Sequence, residues 1–195
     1  SIPGQIGIRP SRPGIPVVDL CAGTSAAVCI LAGLIARETT GEGQYIDLAM
    51  FDTITAWSSV RAATYLIKKE LIIDQHVLAT NDVFQTKDGK SVALGIVNEE
   101  HFWRNLCKVI DKEELLTDSR FSTYKARLQN REELSRILKD TFSRKTRGEW
   151  LDIFEHADVP LTSVNGVEEA FSDPQIAYRG LVRKSSHPEL GESNI

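Results

Sequence analysis

The chain has 195 residues, 42% of them hydrophobic and 26% charged, with a formal net charge of −4. That length suits one domain or two small ones with a real core, and that composition excludes an intrinsically disordered chain. The mildly acidic balance, with no basic stripe, argues against nucleic acid as a partner.

Residues 1–16, SIPGQIGIRPSRPGIP, hold four prolines and three glycines and read as an extended lead-in strand or linker. They lack the basic start and apolar block of a secretory signal. An opening so rich in Pro and Gly, with no initiator Met, leads us to expect a piece of a longer protein. Asp19 follows at the mouth of the apolar, small-residue segment PVVDLCAGTSAAV. It stands where a helix could start, so its carboxylate suits an N-cap, which accepts the N–H groups that a first turn leaves unpaired. A nucleophilic carboxylate would be favoured at the same place by the positive end of the helix dipole. Spacing alone leaves both roles open.

Ala22 to Arg37 is apolar nearly all round, the texture of a helix buried between two layers. Counted from Ala22 to Ala36, the apolar run falls short of the roughly 20 residues of a membrane span, so a core helix is expected and no span. Gly23 and Gly33 weaken the helix and imply that something packs closely on them. TTGEGQ then supplies the C-cap and turn, QYIDLAM (44–50) reads as a strand, and a second helix is predicted over 51–69. Helix, strand, helix in this order marks part of an α/β layer.

Residues 70–80 read as a linker. Beyond it, VFQTKDGKSVALGIV reads as two strands around an Asp-Gly turn whose glycine takes positive φ. EEHFWRNLCKVI, NREELSRILKDTFSR and RGEWLDIFEHA carry the apolar spacing of three amphipathic helices. DVPLTSV reads as a short extended piece, GVEEAFSD as a short helix closed by Pro174, and GLVRKSSHP as a final strand. Trp57, Trp103 and Trp150 are placed as core anchors. The three cysteines, Cys21, Cys29 and Cys107, form no C-x-x-C pair. They are read as reduced, buried thiols of an intracellular protein. The four histidines are scattered without metal-ligand spacing, so no metal site is expected.

The run PVVDLCAGTSAAVCILAGLIARETTGEGQYIDLAMFDTI resembles the central signature of the family III CoA-transferases, a group that includes the α-methylacyl-CoA racemases. An Asp precedes a small-residue helix, and Ala-x-x-x-Arg, T-G-x-G-Q and an Ile-Asp strand follow. FQTKDGKSVALGIVNEEHFWRNLC, DSRFSTYKARLQNREEL and EWLDIFEHADVPLTSVNGVEEAFSDPQIAYRG match the family's small-domain pattern in the same order. The resemblance implies an α/β fold: a partial Rossmann-like large domain over 1–69, a linker over 70–80, a small α+β domain over 81–182 and a return to the large domain from 183.

It further implies that Asp19 is catalytic and forms an aspartyl-CoA thioester, in a helix start walled by Ala22, Gly23 and Ala26. CoA thioesters enter as substrate, no cofactor is bound permanently, and the partner substrate is a small carboxylic acid. Thr80 and Asn81 are the candidate substrate contacts. Family members form interlocked homodimers, so a 50–80 connector is expected to extend across to a partner. The resemblance places the protein in the cytoplasm of a bacterium, or in the mitochondrion or peroxisome of a eukaryote.

Two other readings stay open. A racemase would use Asp19 as acid/base, and Asn98 in GIVNEE stands where racemases tend to carry an acid. The family's first part, which supplies most contacts to the CoA nucleotide, lies outside these residues. The chain alone is therefore expected to be inactive, and it could serve as an interaction module.

Overall fold

The computed structural model describes residues 13–69, 78–189 and 191–194. The chain divides into two compact units, residues 1–75 and 76–195. The lead-in segment over 1–12 and most of the expected linker lie outside the described residues.

The first unit is helical. α1 (Val17–Thr40) starts at Pro16, whose carbonyl accepts from Leu20 N–H at 3.0 Å, and stops at Gly41. Gly41 takes φ +78° and donates to Arg37 O at 2.8 Å, the left-handed cap that TTGEG foretold. At 24 residues, α1 is longer than the run counted from the sequence. It is long and apolar enough to cross a membrane by length and composition alone, a test that core helices of soluble proteins also pass. Cys21, Ala22 and Gly33 are its buried residues, while Val28, Ile30, Leu31, Leu34 and Ile35 are exposed.

Residues 41–49 return beside α1 without a ladder. The strand expected over 44–50 is not formed. A strand needs a hydrogen-bonded neighbour, and the first unit offers no other strand among its described residues. The expected 51–69 helix is two helices, α2 (Met50–Trp57) and α3 (Ser59–Lys68). Between them Ser58 donates its hydroxyl to Ile54 O at 2.9 Å, and its N–H is shared by Ile54 O and Thr55 O, both at 3.1 Å. This local tightening separates the two pieces. Residues 50–68 are thus helical, against the extended connector expected from residue 50 onward. Trp57 is 63% exposed and anchors no core here.

The second unit has its own core. β1 (Asn81–Gln85) and β2 (Ser91–Gly95) pair antiparallel, Gln85 opposite Ser91. The turn between them follows the Asp-Gly signal. Thr86 N–H donates to Lys90 O at 2.9 Å, and Gly89, at φ +74°, donates to Thr86 O at 3.0 Å. β3 (Leu161–Val164) adds antiparallel to the far edge of β2, giving the order β1-β2-β3.

Helices α4 (Glu100–Val109), α5 (Glu114–Thr117), α6 (Tyr124–Gln129), α7 (Arg131–Phe142) and α8 (Arg147–Phe154) complete the core. The strand pattern turns Phe84, Val92 and Leu94 inward, and they join Trp103 and Leu106 of α4, Leu134, Leu138 and Phe142 of α7, and Trp150 of α8 in one cluster. Phe142 stacks on Phe84 at 4.8 Å and meets Trp150 edge-on at 5.1 Å. Trp150 Nε1 donates to Phe142 O at 2.8 Å, so the indole is buried with its polar atom satisfied. α8 opens on a reciprocal cap: Thr146 Oγ1 accepts from Glu149 N–H at 3.3 Å, and Glu149 Oε2 accepts from Thr146 N–H at 2.7 Å.

α9 (Val167–Phe171) follows as expected, but Pro174 opens a helix instead of closing one. It occupies the first turn of α10 (Pro174–Tyr178), where a missing N–H costs nothing, and Asp173 caps that turn by accepting from Gln175 N–H at 2.7 Å. The final strand, β4 (Lys184–His187), pairs antiparallel with β5 (Gly191–Asn194), a hairpin that the sequence reading did not include.

Candidate active site at the head of α1

Asp19 lies inside α1, three residues after Pro16, and is exposed. It is therefore not the cap expected from its spacing: Pro16 holds that position, and no side chain caps the helix. Because α1 begins two residues earlier than Asp19, the acid falls in the first turn instead of before it. Among the described residues Asp19 has no hydrogen-bond or ion-pair partner. The first turn offers donors too, since the N–H groups of Val18 and Asp19 find no acceptor among the described residues. A free carboxylate and free N–H groups thus share one helix end, whose dipole favours negative charge.

The surrounding positions are small. Ala22 and Gly23, three and four residues on, are the neighbours one turn along. Further along, the loop after α1 folds back so that Ile46 and Gln44 cover Gly33, the close packing anticipated there. Gly23 has no such cover among the described residues. A groove of about 310 Å³ lies between α1 and α2, lined by Ser25, Asp47, Asp52, Thr53 and Trp57; Asp19 is not among its walls.

The other two candidates lie in the second unit. Thr80 is 4% exposed; its hydroxyl donates to Ile96 O at 3.0 Å, and its carbonyl accepts from Ile96 N–H at 2.9 Å. Its side chain is engaged in closing the end of the β1–β2 hairpin. Asn81 begins β1 opposite Gly95 and is exposed. Asp19 belongs to one unit, and Thr80 and Asn81 to the other.

The second unit also holds polar clusters that sequence spacing did not reveal. Glu169 accepts from Arg147 Nη2 at 2.6 Å and from Lys90 Nζ at 2.9 Å, tying α9 to α8 and to the hairpin. These bonds, Arg147's first and Lys90's second, pull its carboxyl down to about 2. Asp88 in the hairpin turn accepts from Thr86 Oγ1 at 2.6 Å and from Arg147 N–H at 3.2 Å, and the Thr86 bond holds its carboxyl below the usual range. Burial pushes the Cys107 thiol up to about 12, so it is inert as a nucleophile. Cys21 is buried and Cys29 half-buried, and all three thiols are free. Among the described residues, no group of three or more His, Cys, Asp or Glu could hold a metal ion.

Comparison with known proteins gives this arrangement its class. Solved structures share the fold: a CaiB/BaiF family protein from Brucella suis aligns over 98% of this chain and 54% of its own, with TM-score 0.79 and 24% identity. A Mycobacterium tuberculosis protein aligns over 98% and 52%, with TM-score 0.83 and 21% identity. Residues 1–195 match the sequence family described as CoA-transferase family III.

The chain is 34% identical over 190 residues to human succinyl-CoA:glutarate CoA-transferase, covering 95% of this chain and 43% of that protein. It is 33% identical over 180 residues to acetyl-CoA:oxalate CoA-transferase of Acetobacter aceti, covering 88% and 45%. The chain belongs to CoA-transferase family III, and it spans under half the length of these two relatives.

Proposed function

We propose that the polypeptide carrying this chain moves CoA from an acyl-CoA to a free carboxylic acid, with Asp19 as the nucleophile. The observation that carries the reading is a carboxylate, free of partners among the described residues, in the first turn of α1, in a chain that matches the family over residues 1–195. The carboxylate oxygen attacks the donor thioester carbonyl, the C–S bond breaks, and CoA leaves as thiolate from a mixed anhydride. The thiolate attacks the aspartyl carbonyl, releasing the donor acid and leaving an aspartyl-CoA thioester. The acceptor carboxylate then attacks that thioester, and the thiolate takes the acceptor's acyl group, which restores Asp19.

Each step is acyl substitution and needs no resident cofactor. The N–H groups of Val18 and Asp19 are suited to stabilise developing oxyanions. Small carboxylic acids are the proposed acceptors, in keeping with relatives named for glutarate and oxalate. On this reading 1–69 belongs to a large α/β domain, 81–182 forms the small domain, 183–195 begins a return, and the working unit is an interlocked homodimer inside the cell. Asn81 remains the proposed substrate contact of the second unit.

The test is Asp19→Asn in a polypeptide of the relatives' length. The change removes the attacking oxygen and keeps the shape, so stability should barely move while CoA transfer falls by several orders of magnitude. Borohydride or hydroxylamine added with acyl-CoA should modify the wild-type peptide containing Asp19. Substantial transfer by a folded Asp19→Asn protein, with no trapped adduct in the wild type, refutes the reading. Epimerisation of a 2-methylacyl-CoA without any acceptor acid would point to the racemase instead.

A further inference from the structure

We propose that Asn165-Gly166 is a site of chemical modification, a deamidation site that Glu169 and Arg147 hold closed. The proposal is independent of the chemistry assigned to Asp19 and concerns the second unit alone.

Asn165 is the one asparagine of the chain that glycine follows, and both residues are exposed in the link between β3 and α9. Deamidation at such a pair begins when the glycine nitrogen gives up its proton to solvent base and attacks the asparagine Cγ. The new N–C bond closes a succinimide ring, and the side-chain nitrogen takes a proton from solvent and leaves as ammonia. Water then opens the ring at either carbonyl and leaves aspartate or isoaspartate at position 165. One water is consumed and one ammonia released, with no oxidant or reductant. Glycine favours the step because it has no Cβ to crowd the attacking nitrogen and leaves the backbone free to turn.

Both reacting groups are engaged in this fold. Gly166 N–H donates to Glu169 Oε2 at 3.3 Å, so the hydrogen that must leave is held by a carboxylate. A negative charge there opposes formation of the amide anion that attacks. The Asn165 side chain is tethered as well: Arg147 Nη1 is shared by Val164 O at 3.0 Å, Glu169 Oε2 at 3.1 Å and Asn165 Oδ1 at 3.4 Å. The guanidinium is in turn fixed by its second contact with Glu169, from Nη2 at 2.6 Å. Ring closure therefore requires this corner to open first, and its rate follows the population of the open form. The product would set a second carboxylate beside Glu169 and, as isoaspartate, an extra backbone atom at the entry to α9. Modification would thus loosen α9 from α8 and from the hairpin.

The experiment incubates the polypeptide at the relatives' length in mildly alkaline buffer, well below its melting temperature, and follows position 165 by mass spectrometry of the digested chain. Wild type is compared with Glu169→Ala, Glu169→Gln and Glu100→Ala, and with a synthetic peptide of residues 161–169. Wild type should deamidate at least about tenfold more slowly than the peptide, and Glu169→Ala at least about fivefold faster than wild type. Glu169→Gln, which keeps the size of the side chain, should move the rate the same way. Glu100→Ala, which loosens the same unit at the contact between α4 and α6, should leave the rate unchanged. A wild type as fast as the peptide, or Glu169 variants that match wild type or fall below it, overturns the proposal. So does an equal acceleration in Glu100→Ala, which would assign the protection to the stability of the unit instead of to this corner.

Discussion

Arg127 of α6 and Glu100 of α4 form an ion pair in which only the acid reaches water. The guanidinium is 5% exposed, donates to Glu100 Oε1 at 2.6 Å and to Phe121 O at 3.1 Å, and lies 4.8 Å from the centre of the Trp103 ring. Arg127 thereby joins α6 to α4 and to the turn that holds Phe121. Removing Glu100 leaves a buried cation with one carbonyl and a ring face, so Glu100→Ala should cost about 2–3 kcal/mol, at or below the usual range for breaking a buried pair because Glu100 is half exposed. Arg127→Lys, with Glu100 intact, should also destabilise the unit, since an ammonium cannot reach both acceptors in the same plane. Urea unfolding followed by tryptophan fluorescence measures both.

Glu169 makes the second unit sensitive to acid. Its carboxyl is held at about 2 by Arg147 and then Lys90, against about 4.3 for a free glutamate. A carboxyl lowered by folding contributes stability above its unfolded value, and that contribution disappears as pH falls toward the folded one. Wild type should exceed Glu169→Gln in stability above pH ~4.3, and the two should converge as pH approaches ~2. Thermal melts across that window are the measurement. Parallel curves would show that ionisation of Glu169 contributes no pH-dependent stability.

Gly33 gives a graded test of packing in the first unit. A methyl there would press on Ile46 Cδ1 at 3.1 Å and Gln44 Nε2 at 3.3 Å, both at the ends of flexible side chains. Gly33→Ala should change stability by less than about 1 kcal/mol, because helix propensity offsets the squeeze. Gly33→Val displaces the loop and should cost about 1–3 kcal/mol more.

The 195-residue chain by itself should neither transfer CoA nor bind it well, if most of the nucleotide site lies in the half that the relatives have beyond it. Calorimetric titration with free CoA should give a Kd weaker than ~100 μM. Micromolar binding would mean that these residues hold the nucleotide site.

Legibility followed locality. The helices α4, α7 and α8 and the Asp88-Gly89 turn carry their instructions within a few residues, and the second unit packs its apolar stripes on itself. The pairing of β3 with β2 joins residues some 70 positions apart, and nothing in LTSV names its partner. The clusters around Glu169 and Arg127 are invisible for the same reason, since their members look like ordinary surface charges.

The segment 44–50 has strand composition, but a ladder depends on what lies alongside. Asp19 was singled out by its setting and the family pattern, while its place within the first turn depended on where α1 starts, a matter of two residues. Thr80 shows the limit of reading candidates from position: its hydroxyl is spent inside the hairpin.

The outward leucines, isoleucines and valine of α1 bear on how the molecule is made. Val28, Ile30, Leu31, Leu34 and Ile35 face outward from this helix in the 195-residue chain, a surface on which other chains can gather while it folds. Produced by itself, the chain should therefore yield more soluble material when chaperones are co-produced, as the soluble fraction with and without them measures.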